Sequence, residues 1–207
     1  MKERPILFSA PMVRALIDGT KTQTRRVVKY DIRGPSEPMD TWDWYDAKGE
    51  WVGAHGRGYP FAKTNAALLS PYGQPCDRLW VRETWDAGGN DIGYRADMAS
   101  RYVPPTDPHY GESMRMFDRQ RGRWNSSIYM PRWASRITLE VTGVRVERLQ
   151  DISEADALAE GVTAGKYTGL DRAYARAYSD LWEQINGPGS WDANPWVWVV
   201  EFKGIGA

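Results

Sequence analysis

The most informative stretch of this sequence reads Gly19-Thr20-Lys21-Thr22-Gln23-Thr24-Arg25-Arg26. A short strand is predicted just before it at residues 6–8. A helix is predicted over residues 11–18, because Pro11 suits a first helical turn, where its missing N–H costs nothing. Gly19 is expected to end that helix, since glycine readily adopts the left-handed conformation of a C-terminal cap. Residues 20–26 are so rich in hydroxyls and charges that we expect them to lie outside the core.

The C-terminal third has regular patterns. Apolar residues alternate with polar ones over residues 137–146, which predicts a half-buried strand. Ser153, with Asp156 three residues later, predicts the start of a short helix that ends at Gly161. Residues 170–185 carry apolar side chains at helical spacing, including a Tyr174–Tyr178–Trp182 stripe expected in the core, and a terminal strand is predicted at 196–202.

Two long segments, at about 30–75 and 86–130, have no sustained period and are rich in Gly, Pro, Trp and Asp. We interpret them as irregular insertions in a single domain that spans residues 1–207. The first is expected to hold a hairpin around residues 42–51 with its turn at Lys48-Gly49. Between the insertions, residues 77–85 predict a strand with Leu79 and Val81 on one face. Short strands are predicted in the second insertion near 92–95 and 127–129.

Composition limits the possible functions. The 207 residues hold 27 Lys+Arg against 27 Asp+Glu, a balance that argues against coating nucleic acid through phosphate contacts alone. The 11 Trp and 11 Tyr suit base stacking as well as ordinary packing. The lone cysteine, Cys76, excludes an internal disulfide and is expected to be structural, and with only two histidines we expect no metal and no cofactor. Without a leader or an 18-residue apolar run, we expect a cytoplasmic protein with no membrane partner; the oligomeric state stays open.

The order of these motifs resembles the ASCH domain family, which is related to the PUA RNA-binding domains. The resemblance is carried by residues 21–26, by Cys-Asp-Arg-Leu-Trp-Val-Arg at 76–82, by the segment 152–161, and by Trp-Val-Val-Glu-Phe at 198–202. It implies an α+β fold, in which a PUA-like and mostly antiparallel β-barrel carries a few short helices. Its expected partner is a nucleobase, a nucleoside or single-stranded RNA.

One branch of that family hydrolyses the acetyl amide of 4-acetylcytidine, and the resemblance places its catalytic residues at Lys21, Thr24 and Glu160. A threonine hydroxyl needs a base beside it, and a lysine serves as that base only when burial or positive charge lowers its pKa. Glu160 would then protonate the departing amine or bind the base edge. Lys21 and Thr24 share a side only in a helical turn; in an extended segment they point to opposite faces.

Further candidates for substrate binding are Thr22, Arg25, Arg26, Arg82, Arg132 and Trp133. Each has a simpler interpretation: a solvated loop for residues 20–26, a cross-strand charge pair near Arg82, and a loop anchored by a buried tryptophan near Trp133. Two functional alternatives also stay open. The chain could be a non-catalytic RNA-binding or protein-interaction module, or it could be a ribonuclease in which Lys21 and Arg26 stabilise phosphate charge.

Overall fold

The computed structural model describes residues 1–28, 31–33, 41–45, 51–56, 70–120 and 123–205, with side chains at 1–28, 70–119 and 123–205. Its elements in chain order are β1 (Glu3–Leu7), α1 (Ala10–Ile17), β2 (Gln23–Val27), β3 (Asp31–Arg33), β4 (Thr41–Tyr45), β5 (Trp51–Gly56), β6 (Arg78–Arg82), β7 (Trp85–Ala87), β8 (Asp91–Tyr94), β9 (Ser100–Tyr102), α2 (Tyr110–Gln120), β10 (Thr138–Arg148), α3 (Glu154–Ala159), α4 (Ala173–Asn186) and β11 (Trp196–Gly204). Short 3₁₀ turns occupy Ser127–Tyr129, Arg132–Ala134, Leu149–Asp151 and Gly165–Tyr167.

The predicted α+β class is confirmed. Strands β1 and β6 pair in parallel, whereas β2 with β11, β3 with β4, β4 with β5, β7 with β8 and β8 with β9 pair antiparallel. No closed barrel is found among the described residues, so the PUA-like barrel stays a prediction. No helix in the described part of the chain is long and apolar enough to cross a membrane.

The chain divides into two compact units. The first unit comprises residues 1–2, 20–77 and 140–203, and the second comprises residues 3–19, 78–139 and 204–207. The two units are defined by contacts within the folded chain, so the interpretation of one domain with two insertions stays a prediction.

A three-strand arrangement in the order β10-β11-β2 forms the framework of the first unit. Helices α3 and α4 contribute to its core, in which the packed residues are Leu149, Ile152, Ala157, Ala175, Tyr178, Trp182, Val197 and Val199. Tyr174 packs against the same cluster, which confirms that the Tyr174–Tyr178–Trp182 stripe faces the core. Alternate residues of β11 therefore face the helices, and this face also receives one side of β2.

The two helices of the first unit start differently, α3 at a local signal and α4 at a cap that α3 supplies. The Ser153 hydroxyl accepts a hydrogen bond from the Asp156 backbone N–H at 3.0 Å, which confirms the predicted start of α3. Gly161 adopts a positive φ of 82° just after the helix, a conformation that favours glycine. The Glu154 carboxylate then accepts hydrogen bonds from the first backbone N–H groups of α4, so α3 caps the next helix.

The first insertion is more regular than its composition indicates. Strands β3, β4 and β5 form a three-stranded antiparallel sheet, so the prediction of irregular structure was wrong for these strands. Pairing of β4 with β5 confirms the hairpin, while its predicted turn at Lys48-Gly49 lies outside the described residues. Main-chain pairing between strands organises this segment even though the side chains show no simple period.

The second unit also corrects the prediction of a loop-like segment at 86–130. Strands β7, β8 and β9 form an antiparallel sheet, and α2 follows it. The predicted strand near 92–95 is confirmed as β8, but Ser127–Tyr129 is a 3₁₀ turn. One core cluster of this unit consists of Trp85, Ala87, Ile92, Tyr94, Val103, Met130 and Ala134, with Met116 of α2 packed against it. Helix α2 is polar on average, but Tyr110, Met114 and Phe117 recur at helical spacing, so its amphipathic pattern is a signal that the sequence prediction overlooked.

Candidate active site in the first unit

The polar segment that precedes and enters β2 is buried. Lys21, Gln23, Thr24 and Arg25 expose only 2%, 3%, 2% and 3% of their surface. The prediction that residues 20–26 lie outside the core was therefore wrong for these four, although Thr22 is exposed. Buried charged groups require partners, and the structure supplies them from β10, α3 and α4.

Lys21 and Glu160 form the most buried ion pair of the site. The Lys21 Nζ lies 2.7 Å from the Glu160 Oε2 and also donates to the Glu160 backbone carbonyl at 2.8 Å. The side chains are 0% and 3% exposed. The two backbones form an isolated antiparallel bridge, and the Thr22 N–H donates to the Ala159 carbonyl at 2.8 Å. The end of α3 is thus fastened to the segment that leads into β2.

The second carboxylate oxygen of Glu160 faces two other buried groups. The Arg25 Nη1 lies 3.4 Å from Glu160 Oε1, and the Tyr178 hydroxyl donates to the same oxygen at 3.5 Å. The Arg25 guanidinium also lies 5.9 Å from the centre of the Tyr178 ring, a cation–π distance. One carboxylate therefore connects a lysine, an arginine and a phenol in the interior of the unit.

Arg25 extends this pair into a larger group, which we call the ion cluster. Its Nη2 lies 2.5 Å from Glu147 Oε1 and 3.5 Å from Asp156 Oδ2. Arg145 bridges both of these carboxylates and also Glu201. The ion cluster consists of three cations and four carboxylates: Lys21, Arg25, Arg145, Glu147, Asp156, Glu160 and Glu201.

The solvent exposure of the side chains increases from the inner to the outer members of the ion cluster. The side chains of Lys21 and Arg25 are 0% exposed, whereas those of Arg145 and Glu201 are 37% and 43% exposed. Gln23 joins the inner and outer parts, because its amide donates to Asp156 at 3.0 Å and its carbonyl accepts from Arg25 at 2.5 Å. The cluster thus runs from a buried interior to a half-exposed rim.

Burial and charge change the proton affinities of three groups here. Burial lowers the pKa of the Lys21 ammonium; the Glu160 charge opposes this, and Arg26 and Arg25 lower it further. Burial, followed by the Glu160 charge, raises the pKa of Tyr178 well above its ordinary value. Burial would raise the pKa of Asp156, but Gln23, Ser153 and the nearby arginines together lower it. The direction of the Lys21 shift is the one that a general base requires.

Thr24 projects from the opposite face of β2. Side chains alternate along a strand, and Gln23 and Arg25, on either side of Thr24, both reach the ion cluster. Lys21 reaches the same cluster, so of the two arrangements considered for Lys21 and Thr24 the extended one holds. Thr24 instead lies opposite Val200 of β11. Arg26 follows Thr24 on that face by the same alternation.

The remaining predicted binding residues belong to the second unit. The Arg82 guanidinium lies 4.6 Å and that of Arg132 5.9 Å from the centre of the Trp80 ring. Trp133 stacks on His109 with ring centres 5.2 Å apart and meets Trp85 edge-on at 6.3 Å. This packing matches the simpler interpretation of Trp133 as the anchor of a loop.

Six members of this site were not selected from the sequence: Gln23, Arg145, Glu147, Asp156, Tyr178 and Glu201. Tyr178 was assigned to the core alone, and Asp156 to the helix start alone. Arg145 and Glu147 are two positions apart on β10, so alternation places them on one face. Two opposite charges at this spacing on a half-buried strand are the signal that could have identified them.

Comparisons with protein-family models, with curated proteins and with solved structures found no match. The resemblance to the ASCH family therefore stays a prediction that rests on the sequence motifs. Among the residues that the structure describes, no group of three or more His, Cys, Asp or Glu side chains is arranged to hold a metal ion.

Proposed function

We propose that this chain is an ASCH-type, PUA-like protein that hydrolyses an acyl amide on the exocyclic amine of a cytosine-type nucleoside, free or in single-stranded RNA. The observation that carries the proposal is the buried Lys21–Glu160 pair, with 2.7 Å between Nζ and Oε2. The geometry supplies a lysine with a lowered pKa beside a carboxylate. In amide hydrolysis a base of this kind activates the nucleophile, and a carboxylate that first accepts the proton delivers it to the departing nitrogen.

In the proposed reaction the pair moves one proton in two steps. Neutral Lys21 takes a proton from the attacking water as the water oxygen bonds to the acyl carbon. The proton then passes to the exocyclic nitrogen, directly from Lys21 or through Glu160, while the carbon–nitrogen bond breaks. The products are the free amine of the base and a carboxylic acid. Arg25 and Tyr178, which face Glu160 Oε1, keep Glu160 Oε2 directed at Lys21.

Water is the proposed nucleophile because Thr24 lies on the other face of β2. A base must be within hydrogen-bond reach of the proton that it removes. Lys21 is directed towards Glu160, on the face that also carries Gln23 and Arg25. The resemblance implies that Thr24 is the nucleophile, and a Thr24 substitution therefore distinguishes the two chemistries.

The direct test is incubation with 4-acetylcytidine and related acylated nucleosides, followed by chromatography for released cytidine. We expect turnover by the wild-type protein and at least a hundredfold loss in Lys21→Met and Glu160→Gln, on the general scale of acid–base catalysis of about 10²–10⁴-fold. Lys166→Met, which removes an exposed lysine of the same unit, is the control and should leave turnover unchanged. Failure of the folded wild-type protein to deacylate any of these nucleosides would refute the hydrolase.

A second candidate is a binding module without catalysis. It is favoured by the second hydrogen bond of Lys21, whose Nζ donates to the Glu160 backbone carbonyl at the end of α3. Lysines commonly stabilise helix C-termini in this way, so a purely structural Lys21 is chemically reasonable. Saturable binding of a modified nucleoside without product release, followed by tryptophan fluorescence, would identify this function.

A further inference from the structure

We propose that the outward face of the β1–β6 strand pair in the second unit binds single-stranded nucleic acid. This inference is independent of the proposed hydrolase, since it uses none of the residues of the ion cluster. We call this surface the arginine face; it is formed by Glu3, Pro5, Leu7, Arg78, Trp80, Arg82, Tyr129 and Arg132.

Strand register places these side chains together. Glu3 pairs with Arg78, Pro5 with Trp80 and Leu7 with Arg82 along the parallel ladder. Alternation puts these six side chains on one face, and Ile6, Leu79 and Val81 on the other. The other face is core, because Ile6, Leu79 and Val81 are 3%, 0% and 1% exposed. On β1 the outward residues Glu3, Pro5 and Leu7 are all exposed.

The arginine face carries an excess of positive charge. Arg132 donates to Glu3 at 2.9 Å, and Arg78 lies 3.8 Å from the same carboxylate. Arg82 and Arg132 both lie within 6 Å of the Trp80 ring. Arg78 and Arg132 thus share the Glu3 carboxylate, and with Arg82 the face holds three guanidinium groups and one carboxylate. Because a guanidinium has five donors in a planar fork, such groups bind phosphate oxygens in pairs of hydrogen bonds.

An exposed aromatic residue, Tyr129, follows the residue whose backbone contacts one of these cations. Arg82 donates to the Ile128 carbonyl at 3.1 Å, which joins the Ser127–Tyr129 turn to the face. Tyr129 is 76% exposed and Ile128 is 55% exposed. Bases of single strands stack on such rings, whereas those of a duplex are already stacked on one another. Phosphate-binding arginines next to a stacking ring therefore favour a single strand.

Charge is distributed unevenly between the two units. The residues of the second unit include twelve arginines and no lysine against nine carboxylates, which makes this unit positive although the whole chain is neutral. Arginine is preferred to lysine where planar phosphate and base recognition are needed. This composition favours a nucleic-acid partner over an acidic protein surface, which would not require arginine alone.

The experiment measures binding of fluorescein-labelled twelve-nucleotide uridine RNA, the same length of thymidine DNA, and an RNA duplex by anisotropy. The variants are Tyr129→Ala and the pair Arg82→Gln/Arg132→Gln. The matched control is Lys166→Gln/Arg176→Gln, which removes two exposed cations from the first unit. Far-ultraviolet circular dichroism checks that every variant is folded.

We expect saturable binding of single strands that is stronger than binding of the duplex, with the two sugars compared to identify the preferred strand. Tyr129→Ala should weaken it about tenfold, the loss typical of one stacked base. The arginine pair should reduce the slope of log affinity against log salt by about 1.4, since each single-strand phosphate contact contributes about 0.7. The proposal is overturned if the control pair loses as much affinity as the test variants, or if both test variants bind as the wild type does. It is also overturned if the protein shows no affinity for single strands but binds another protein. If the arginine face binds single strands as expected but no acylated nucleoside is hydrolysed, only the proposed hydrolase is refuted.

Discussion

The Lys21 ammonium and the Glu160 carboxylate lie 2.7 Å apart, and their backbones pair at the same place. Each side chain is almost completely buried, so each depends on the other for its charge. Glu160 has further partners in Arg25 and Tyr178. This difference between the two residues leads to the first prediction.

Glu160→Gln should destabilise the protein more than Lys21→Met. Removing the carboxylate leaves a buried ammonium without its ion-pair partner, a change that typically costs about 3–5 kcal/mol. Removing the lysine leaves a carboxylate that still faces Arg25 and Tyr178, so the loss should be smaller. Urea unfolding followed by tryptophan fluorescence measures both. The reverse order of the two losses would contradict this account of the pair.

Raising the pH from 7 to 10 should stabilise the wild-type protein relative to Lys21→Met. The folded-state pKa of Lys21 is lowered, mainly by burial, so the unfolded chain binds more protons between that pKa and 10.5. Stability then increases with pH across this window. Urea midpoints at each pH give the difference. Lys203→Met, which removes a lysine that is 60% exposed, should keep the wild-type trend; a wild-type trend in Lys21→Met would contradict the prediction.

Acidification should reveal the contribution of Asp156. Its folded-state pKa is lowered, because the bonds from Gln23 and Ser153 and the nearby arginines outweigh burial. Its stabilising effect is therefore complete above an ordinary pKa of 3.8 and is lost as the pH falls below it. Thermal unfolding between pH 2 and 6 should show a smaller loss for Asp156→Asn than for wild type. Asp171→Asn, an exposed carboxylate of the same unit, should behave as wild type.

If water is the nucleophile, Thr24→Ala should deacylate at a rate within about tenfold of the wild-type rate, because Thr24 then takes no part in bond formation. Thr24→Ser serves as the matched variant that keeps the hydroxyl. Initial rates with 4-acetylcytidine decide between the two chemistries. Abolished turnover in Thr24→Ala with activity kept in Thr24→Ser would assign the attack to Thr24 and refute the proposed role of water.

Local signals were sufficient for several elements. Helix α1 ends where Gly19 predicts, α3 starts at the Ser153 cap, and α4 presents Tyr178 and Trp182 to the core. Each of these features depends on residues within a few positions of one another. Helix α2 was not predicted because its average composition is polar and prolines 104, 105 and 108 precede it, although its apolar residues recur at helical spacing. The packing of Met116 that supports it involves residues distant in sequence.

The sequence alone determined the mixed α+β class and the main helices and strands, because periodicity and capping are properties of neighbouring residues. Lys21 and Glu160 became candidates through the resemblance to the ASCH family. Only the tertiary structure decided that Lys21 is buried against Glu160, 139 positions away, and that Thr24 faces elsewhere. When the partners of a charged segment are unknown, its sequence predicts that it is exposed to solvent. Once distant carboxylates are brought to it, the same charges can be buried, since each is neutralised by a partner that no local pattern specifies.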